Sequence, residues 1–138
     1  MLRLMRGAIG LAAAIDFLNE LGRDRIEAHE AELVKHGLNL LRKVPGLRLL
    51  GPADPERRVP VFSFVIEGLE ARDVMRALDE RQIAVRAGDL AALPLLQRLG
   101  TRTAVRASAY LYTRRSELDR LADALLEITG AQHRRSEH

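Results

Sequence analysis

Two arginines, Arg86 and Arg106, are the polar residues best placed for binding chemistry. Each follows an apolar residue within a short apolar run, in "IAVRAG" and in "AVRASAYLY". The planar guanidinium group binds a carboxylate through two parallel hydrogen bonds, which favours arginine over lysine at a carboxylate site. Strand alternation offers a second interpretation, in which both side chains only point into solvent. The pattern therefore leaves a carboxylate-binding site and a solvated pair as alternatives.

The other reactive side chains are less favourably spaced. His29 and His36 are two turns apart on one predicted helix, about 10 Å along its axis, which is too far for both to bind one metal ion. Lys35 and Lys43 belong to the same charged helix, whereas a lysine that forms a Schiff base needs a desolvated pocket. We therefore predict surface histidines, no metal site and no catalytic lysine.

The composition is that of one globular domain. The chain has 138 residues, of which 47% are hydrophobic and 30% charged, enough for a single core. Its 22 basic and 19 acidic residues alternate, as on a solvated helix face rather than in a nucleic-acid site. No segment approaches the roughly 20 apolar residues of a membrane span, and the apolar start differs from a signal peptide. We expect a cytoplasmic chain without nucleic-acid or membrane partners.

The apolar pattern predicts the element order ααββαββα. Helical spacing marks helices at about 4–21, 23–45 and 69–82, and a last helix that ends at Gly130. Runs rich in β-branched residues mark strands in "LRLLG", "VPVFSFVIEG", "IAVRAG" and "AVRASAYLY". This order indicates an α+β fold, a small and mostly antiparallel sheet with helices covering one face. We expect a single domain over 1–130 and a frayed tail over 131–138.

The segment "RAGDLAALPLLQRLG", residues 86–100, has the spacing of a catalytic loop without a catalytic residue. A glycine follows a strand-end arginine, and a short turn leads to a proline. Asp89 is the one residue in the turn that could act as a base, and the chain contains no cysteine. Thiolate chemistry is therefore excluded within this chain.

Four segments together resemble the class V (fold-type I) pyridoxal-phosphate enzymes, particularly the SufS-type cysteine desulfurases and selenocysteine lyases. They match in order over about residues 7–128, and they are "GAIGLAAAIDFLNELG", "GPADPERRVPVFSFVIEG", "IAVRAGDLAALPLLQRLG" and "VRASAYLYTRRSELDRLADALLEI". The resemblance implies the C-terminal small domain of such an enzyme. The helix at about 4–21 would lead into it from the large domain.

The resemblance also implies roles for individual residues. In desulfurases the loop reads Arg-x-Gly-His-His-Cys-Ala-x-Pro, and its cysteine takes sulfur from the substrate. Here Ala91 occupies the cysteine position, and Asp89 and Leu90 occupy the histidine positions, which implies the loop without persulfide chemistry. The family arginine that binds the substrate carboxylate corresponds to Arg106. Arg86 and Asp89 are further candidates for substrate binding.

The family's cofactor lysine and the residues around the cofactor ring belong to its large domain. The resemblance therefore implies pyridoxal phosphate (PLP) in the intact enzyme, a transferase or lyase, and no covalent attachment of PLP to this chain. Alone, the chain is expected to be inactive. The implied partners are a large PLP-binding domain, missing or on a separate chain, an amino-acid substrate and a second copy of the chain.

A second hypothesis is a non-catalytic, stand-alone binding or oligomerisation module that has kept this fold. If the first helix lies on a large domain in the family, its residues Ile9, Leu11 or Phe17 would be exposed in the chain alone. An exposed apolar patch predicts self-association. A homodimer through the first helix is compatible with both hypotheses.

Overall fold

The computed structural model describes residues 2–136 and the side chains of residues 7–131. Met1 and residues 137–138, the end of the predicted tail, lie outside the described residues. The elements in chain order are α1 (Leu2–Leu21), α2 (Arg23–Leu41), β1 (Leu47–Leu50), β2 (Val61–Ile66), α3 (Ala71–Asp79), β3 (Arg86–Gly88), α4 (Leu93–Arg98), β4 (Ala104–Ser108) and α5 (Arg115–Ser136). A short 3-10 turn, Pro55–Arg57, interrupts the connection between β1 and β2.

The four strands of the described chain form one sheet in the order β1-β2-β4-β3, and every neighbouring pair is antiparallel. Strand β2 is central and the most regular, with buried and half-buried residues in strict alternation. This alternation is typical of a strand that has its more apolar face against a core. The predicted α+β fold with an antiparallel sheet is confirmed.

The main core lies between one face of the sheet and the three helices α2, α3 and α5. Phe62 and Phe64 of β2 are fully buried there. They belong to one cluster with the inward-facing residues of the helices, which include Leu33, Leu38, Val74, Leu78, Leu121 and Leu125. Gly37 of α2 lies against the ring of Phe62, so that this helix comes unusually close to the sheet.

The short helix α4 belongs to a second, smaller cluster on the opposite face of the sheet. This cluster contains Leu50, Leu96 and Ala104, all buried. The helix ends in a Schellman motif, in which Gly100 has a φ of 74° and the Thr101 amide donates to the Leu96 carbonyl at 3.0 Å. The sequence predicts one helical turn at most in this segment, because six residues are too few for a clear helical period.

Two predicted strands and the last helix have different bounds in the structure. Pairing in β3 starts only at Arg86, and β4 ends at Ser108 because the Tyr110 amide turns to the Thr113 hydroxyl at 3.0 Å. Helix α5 continues through Gly130 to Ser136. A glycine inside a helix costs only about 1 kcal/mol relative to alanine, which a packed helix tolerates.

Helix α1 exposes most of the apolar side chains that are described for it, those from residue 7 onward. Ile9, Leu11 and Phe17 are 67%, 63% and 53% exposed. The helix contacts the rest of the described chain mainly through α2. Helices of the described chain are all too short or too polar to cross a membrane.

Candidate carboxylate-binding site

Three polar side chains form one row across the sheet, on the face opposite the main core. Ser63 of β2 pairs with Arg106 of β4, and Arg106 pairs with Arg86 of β3. Residues directly opposite on antiparallel strands project to the same face, with Cβ atoms about 4.5–5.5 Å apart. The two arginines are therefore neighbours on this face, and since like charges in this position repel, an anion beside them would be favoured.

The side chain of Arg106 is half-buried on this face of the sheet. Its Nε atom is buried and has no hydrogen-bond partner among the described residues. An unsatisfied buried donor costs about 1–3 kcal/mol, and a ligand that accepts from it would recover that cost. Of the residues singled out from the sequence, Arg106 is the one whose environment most directly indicates a ligand.

Arg106 lines a cavity of about 370 Å³. Its floor comes from β1, β2 and β4, one side from the loop at 51–59, and its cover from residues 90–99, including Leu95 and Leu96 of α4. Three arginines line it, Arg57, Arg58 and Arg106, together with mainly apolar side chains and without any carboxylate. A volume of this size suits a small metabolite, and the charges suit an anionic one.

Arg58 stabilises the backbone that forms one side of the cavity. It donates to the carbonyl oxygens of Pro52 at 2.8 Å, Leu50 at 2.9 Å and Val61 at 3.4 Å. Burial, and to a lesser degree the nearby charge of Arg42, lowers the pKa of Arg58 below its ordinary value. Because its donors hold three backbone carbonyls, Arg58 fixes the 51–59 loop beside Arg106.

The turn before α4 has an uncommon backbone. Leu90 and Ala91 both have positive φ angles, 52° and 55°, in a region that disfavours side chains by roughly 1–2 kcal/mol per residue. The exposed Asp89 stabilises this turn, since its Oδ1 accepts from the Ala91 amide at 3.1 Å and its carbonyl from the Ala92 amide at 2.9 Å. Asp89 holds the turn, and Leu90 and Ala92 line the cavity.

Replacing Ala91 by glycine should stabilise the chain. Glycine adopts a φ of 55° without the penalty that alanine has, which should raise the free energy of unfolding by about 0.5–1 kcal/mol after the extra flexibility of the unfolded chain is counted. Ala92 has a φ of −136°, so Ala92→Gly should lower stability or leave it unchanged. Urea unfolding of both variants measures the difference, and equal effects would contradict a strained turn.

The residues around the cavity do not fit covalent attachment of PLP. Lys35 is exposed on α2 and pairs with Glu56 at 3.5 Å, and Lys43 is exposed just beyond α2. This helix packs on the other face of the sheet, so neither lysine reaches the cavity. The described lining of the cavity therefore contains no lysine, and it includes Arg106, whose buried Nε has no partner.

Two histidines, His29 and His36, make hydrogen bonds within the protein. The Nε2 atom of His29 donates to the Thr113 carbonyl at 3.0 Å, and that of His36 donates to the Asp119 carboxylate at 2.7 Å. Both bonds join α2 to α5 or to the turn before it, so these side chains are half-buried rather than freely exposed. In the part of the chain that the structure describes, no three histidine, aspartate or glutamate side chains gather as metal ligands would.

Comparison with known families identifies the fold. Residues 4–121 match the family described as Aminotransferase class-V. The chain belongs to this family. Among curated class-V aminotransferases, a probable cysteine desulfurase of Streptomyces coelicolor is 44% identical over 121 residues, and a cysteine desulfurase of Synechococcus elongatus is 43% identical over 125. The resemblance found in the sequence is therefore confirmed.

Solved class-V structures agree with this assignment. A cysteine desulfurase from Thermococcus onnurineus superposes with a TM-score of 0.86 at 35% identity, covering 91% of this chain and 31% of that one. One from Escherichia coli has a TM-score of 0.79 at 32% identity, with 88% and 30% covered.

The chain spans only part of each class-V relative. It matches 29% of the length of the Streptomyces protein and 20% of the Synechococcus protein, through 88% and 90% of its own length. The alignments do not bear out the expectation that this segment is the C-terminal domain. The chain corresponds to a segment of about 20–29% of these two relatives.

Sequence reasoning singled out Arg106, which lines the cavity, and Arg86, which is not part of the lining. It missed two other arginines that do line the cavity, Arg57 and Arg58. Arg57 and Arg58 directly precede "VPVFSF", and a pair of basic residues entering the most apolar strand was a usable signal. Their position beside Arg106 depends on how the 51–59 loop folds back over β2.

Proposed function

We propose that the chain is a segment of a PLP-dependent class V enzyme that acts on an amino acid, in which Arg106 binds the substrate carboxylate. The buried, unpartnered Nε of Arg106 in a cavity without carboxylates is the observation that supports this role. The paired position of Arg86 adds positive charge on the same face. A guanidinium group held in this way binds a carboxylate with charge-assisted hydrogen bonds.

In this proposal the chain performs no persulfide chemistry and is inactive alone. Ala91 occupies the position that the resemblance gives to the desulfurase cysteine, and a methyl group cannot form a thiolate. Pyridoxal phosphate would supply the electron sink for amino-acid chemistry when bound, on a large PLP-binding domain that partners this chain. The contribution of this chain is to orient the substrate through Arg106 and to exclude water with the residues 90–99 that cover the cavity.

A second candidate function is a non-catalytic binding or oligomerisation module derived from the fold. The exposed apolar residues of α1 favour it, because Ile9, Leu11 and Phe17 present a surface that a second copy could cover. A stable homodimer of the isolated chain, lost on Leu11→Glu, would support this function.

A chimera tests the first proposal. The matching segment of the Streptomyces relative is replaced by this chain, so that the remainder of that protein supplies the PLP-binding portion implied by the resemblance. We expect the folded chimera to bind PLP and to release no sulfur from cysteine. A matched chimera with Ala91→Cys shows whether loss of sulfur release follows from this one side chain.

Either of two results would contradict the proposal. A folded chimera that binds no PLP argues against the enzyme-segment assignment, and sulfur release without Ala91→Cys argues against the absence of persulfide chemistry. Circular dichroism establishes folding. If the chimera is unfolded, titration of the 138-residue chain with propanoate takes its place, and absence of binding there contradicts the role of Arg106.

A further inference from the structure

The cavity beside Arg106 combines one anion-binding group with apolar surroundings. On the sheet, Ser63 lies beside the arginine, and Leu50 and Val61 line the same cavity. Across the cavity lie leucines of the 90–99 segment. Leu96 is buried and anchors α4, whereas Leu95 next to it is 57% exposed and faces the open space. A ligand held by Arg106 would therefore have hydrocarbon on both sides of its own side chain.

The other two arginines of the cavity are poor partners for a second anionic group. Arg58 already donates to three backbone carbonyls through its Nη1 and Nη2 atoms. Arg57 is exposed at the rim, where an ion pair contributes little because water screens it. Arg106 is thus the single cation with a buried, unused donor in the cavity.

The strained turn adds another apolar surface. Leu90, at a φ of 52°, packs against the cluster of Leu50, Leu96 and Ala104 and lines the cavity. The Asp89 carboxylate, one residue away, is used in the turn and is absent from the lining. The cover of the cavity therefore offers methyl groups, and no carboxylate or hydroxyl, to a ligand side chain.

We propose that the ligand bound by Arg106 has a branched aliphatic side chain next to its carboxylate, the chemistry of the aliphatic amino acids. This inference rests on the proposed function, in which Arg106 binds a substrate carboxylate. Burial of an aliphatic side chain against Leu50, Val61 and Leu95 favours binding of such a ligand over a polar one. A dicarboxylate has no comparable gain in binding free energy, because its second carboxylate would meet only two arginines. Arg57 is screened by water, and Arg58 is already bonded to backbone carbonyls.

Titration of the 138-residue chain with three carboxylates tests this inference. At constant ionic strength, backbone amide shifts report the affinities for acetate, 4-methylpentanoate and glutarate. We expect 4-methylpentanoate to bind at least about 10-fold more tightly than acetate, because its added carbons leave water. Glutarate should bind within about 5-fold of acetate, since an exposed ion pair adds little.

A pair of leucine variants locates the selectivity. Leu95→Gln should reduce the preference for 4-methylpentanoate over acetate by at least about 3-fold. Leu126→Gln is the matched control, because Leu126 is 42% exposed on α5 and lies outside the cavity. It should change neither affinity.

The outcomes separate this inference from the proposed function. If all three carboxylates bind with equal affinity, or if glutarate binds most tightly, the inference of an aliphatic ligand side chain is wrong. The carboxylate-binding role of Arg106 is unaffected by either result. A preference for 4-methylpentanoate that Leu95→Gln does not alter also overturns it, because the selectivity then arises elsewhere. No binding of any carboxylate overturns the proposed function itself.

Discussion

Gly37→Ala is expected to lower the free energy of unfolding by about 1–3 kcal/mol, the usual range for an overpacked core. A Cβ atom at this position would lie 2.4 Å from Cζ and 2.8 Å from Cε1 of Phe62. Phe62 is fully buried, so a shift of its ring would disturb the packing of the core around it. The better helix propensity of alanine, up to about 1 kcal/mol, offsets only part of this clash.

Two further variants identify the clash as the cause. Gly130 is also in a helix but has open space where its Cβ would be, so Gly130→Ala should stabilise the chain by about 0.5–1 kcal/mol. In a Phe62→Leu background, Gly37→Ala should cost less than in the original chain, because the smaller side chain leaves room. Chemical unfolding of the four variants gives these values, and equal costs in the two backgrounds would contradict the close approach of α2 to β2.

Arg106→Gln is expected to weaken binding of a simple carboxylate such as propanoate by at least about 10-fold, the typical worth of a charge-assisted hydrogen bond. Arg106→Lys keeps the charge but loses the two-pronged geometry, so its affinity should lie between those of the arginine and glutamine forms. Affinities at constant ionic strength come from calorimetric or spectroscopic titration.

Arg102→Gln serves as the matched control for this prediction. Arg102 is exposed in the turn between α4 and β4 and lies outside the cavity. Arg102→Gln removes one positive charge, as Arg106→Gln does. If only long-range attraction of the carboxylate to the protein mattered, its affinity would fall equally in both variants. Equal losses in Arg102→Gln and Arg106→Gln would therefore argue against a specific site.

The sheet and its core were predictable from local pattern. The alternation of Phe62 and Phe64 with half-buried residues identifies β2 and its buried face, because a strand has a period of two. The glycine after Leu99 is an adequate stop signal for α4, although the helix itself is too short to show a period. Gly130 also predicts the end of a helix, but α5 continues past it to Ser136.

The candidate site was predictable only one residue at a time. Arg86 and Arg106 are recognisable as unusual strand residues, but their direct pairing follows from the strand order β2-β4-β3, which no local pattern contains. The roles of Arg58 and Leu95 depend on how a loop and a short helix fold over the sheet. Asp89 is the loop residue considered as a base and as a candidate for substrate binding. Its carboxylate accepts a hydrogen bond within its own turn, which its sequence neighbours alone do not reveal.

The most direct test of the account is to observe the Nε–H group of Arg106 itself. In the ¹⁵N-labelled 138-residue chain, its signal is identified by its loss in Arg106→Gln, and the chain is titrated with propanoate and, separately, with chloride. The account predicts that the signal shifts and exchanges more slowly with water on addition of propanoate, and moves far less with chloride. A signal that does not respond to propanoate, or that responds equally to chloride, would contradict the assignment of Arg106 as a carboxylate-binding residue.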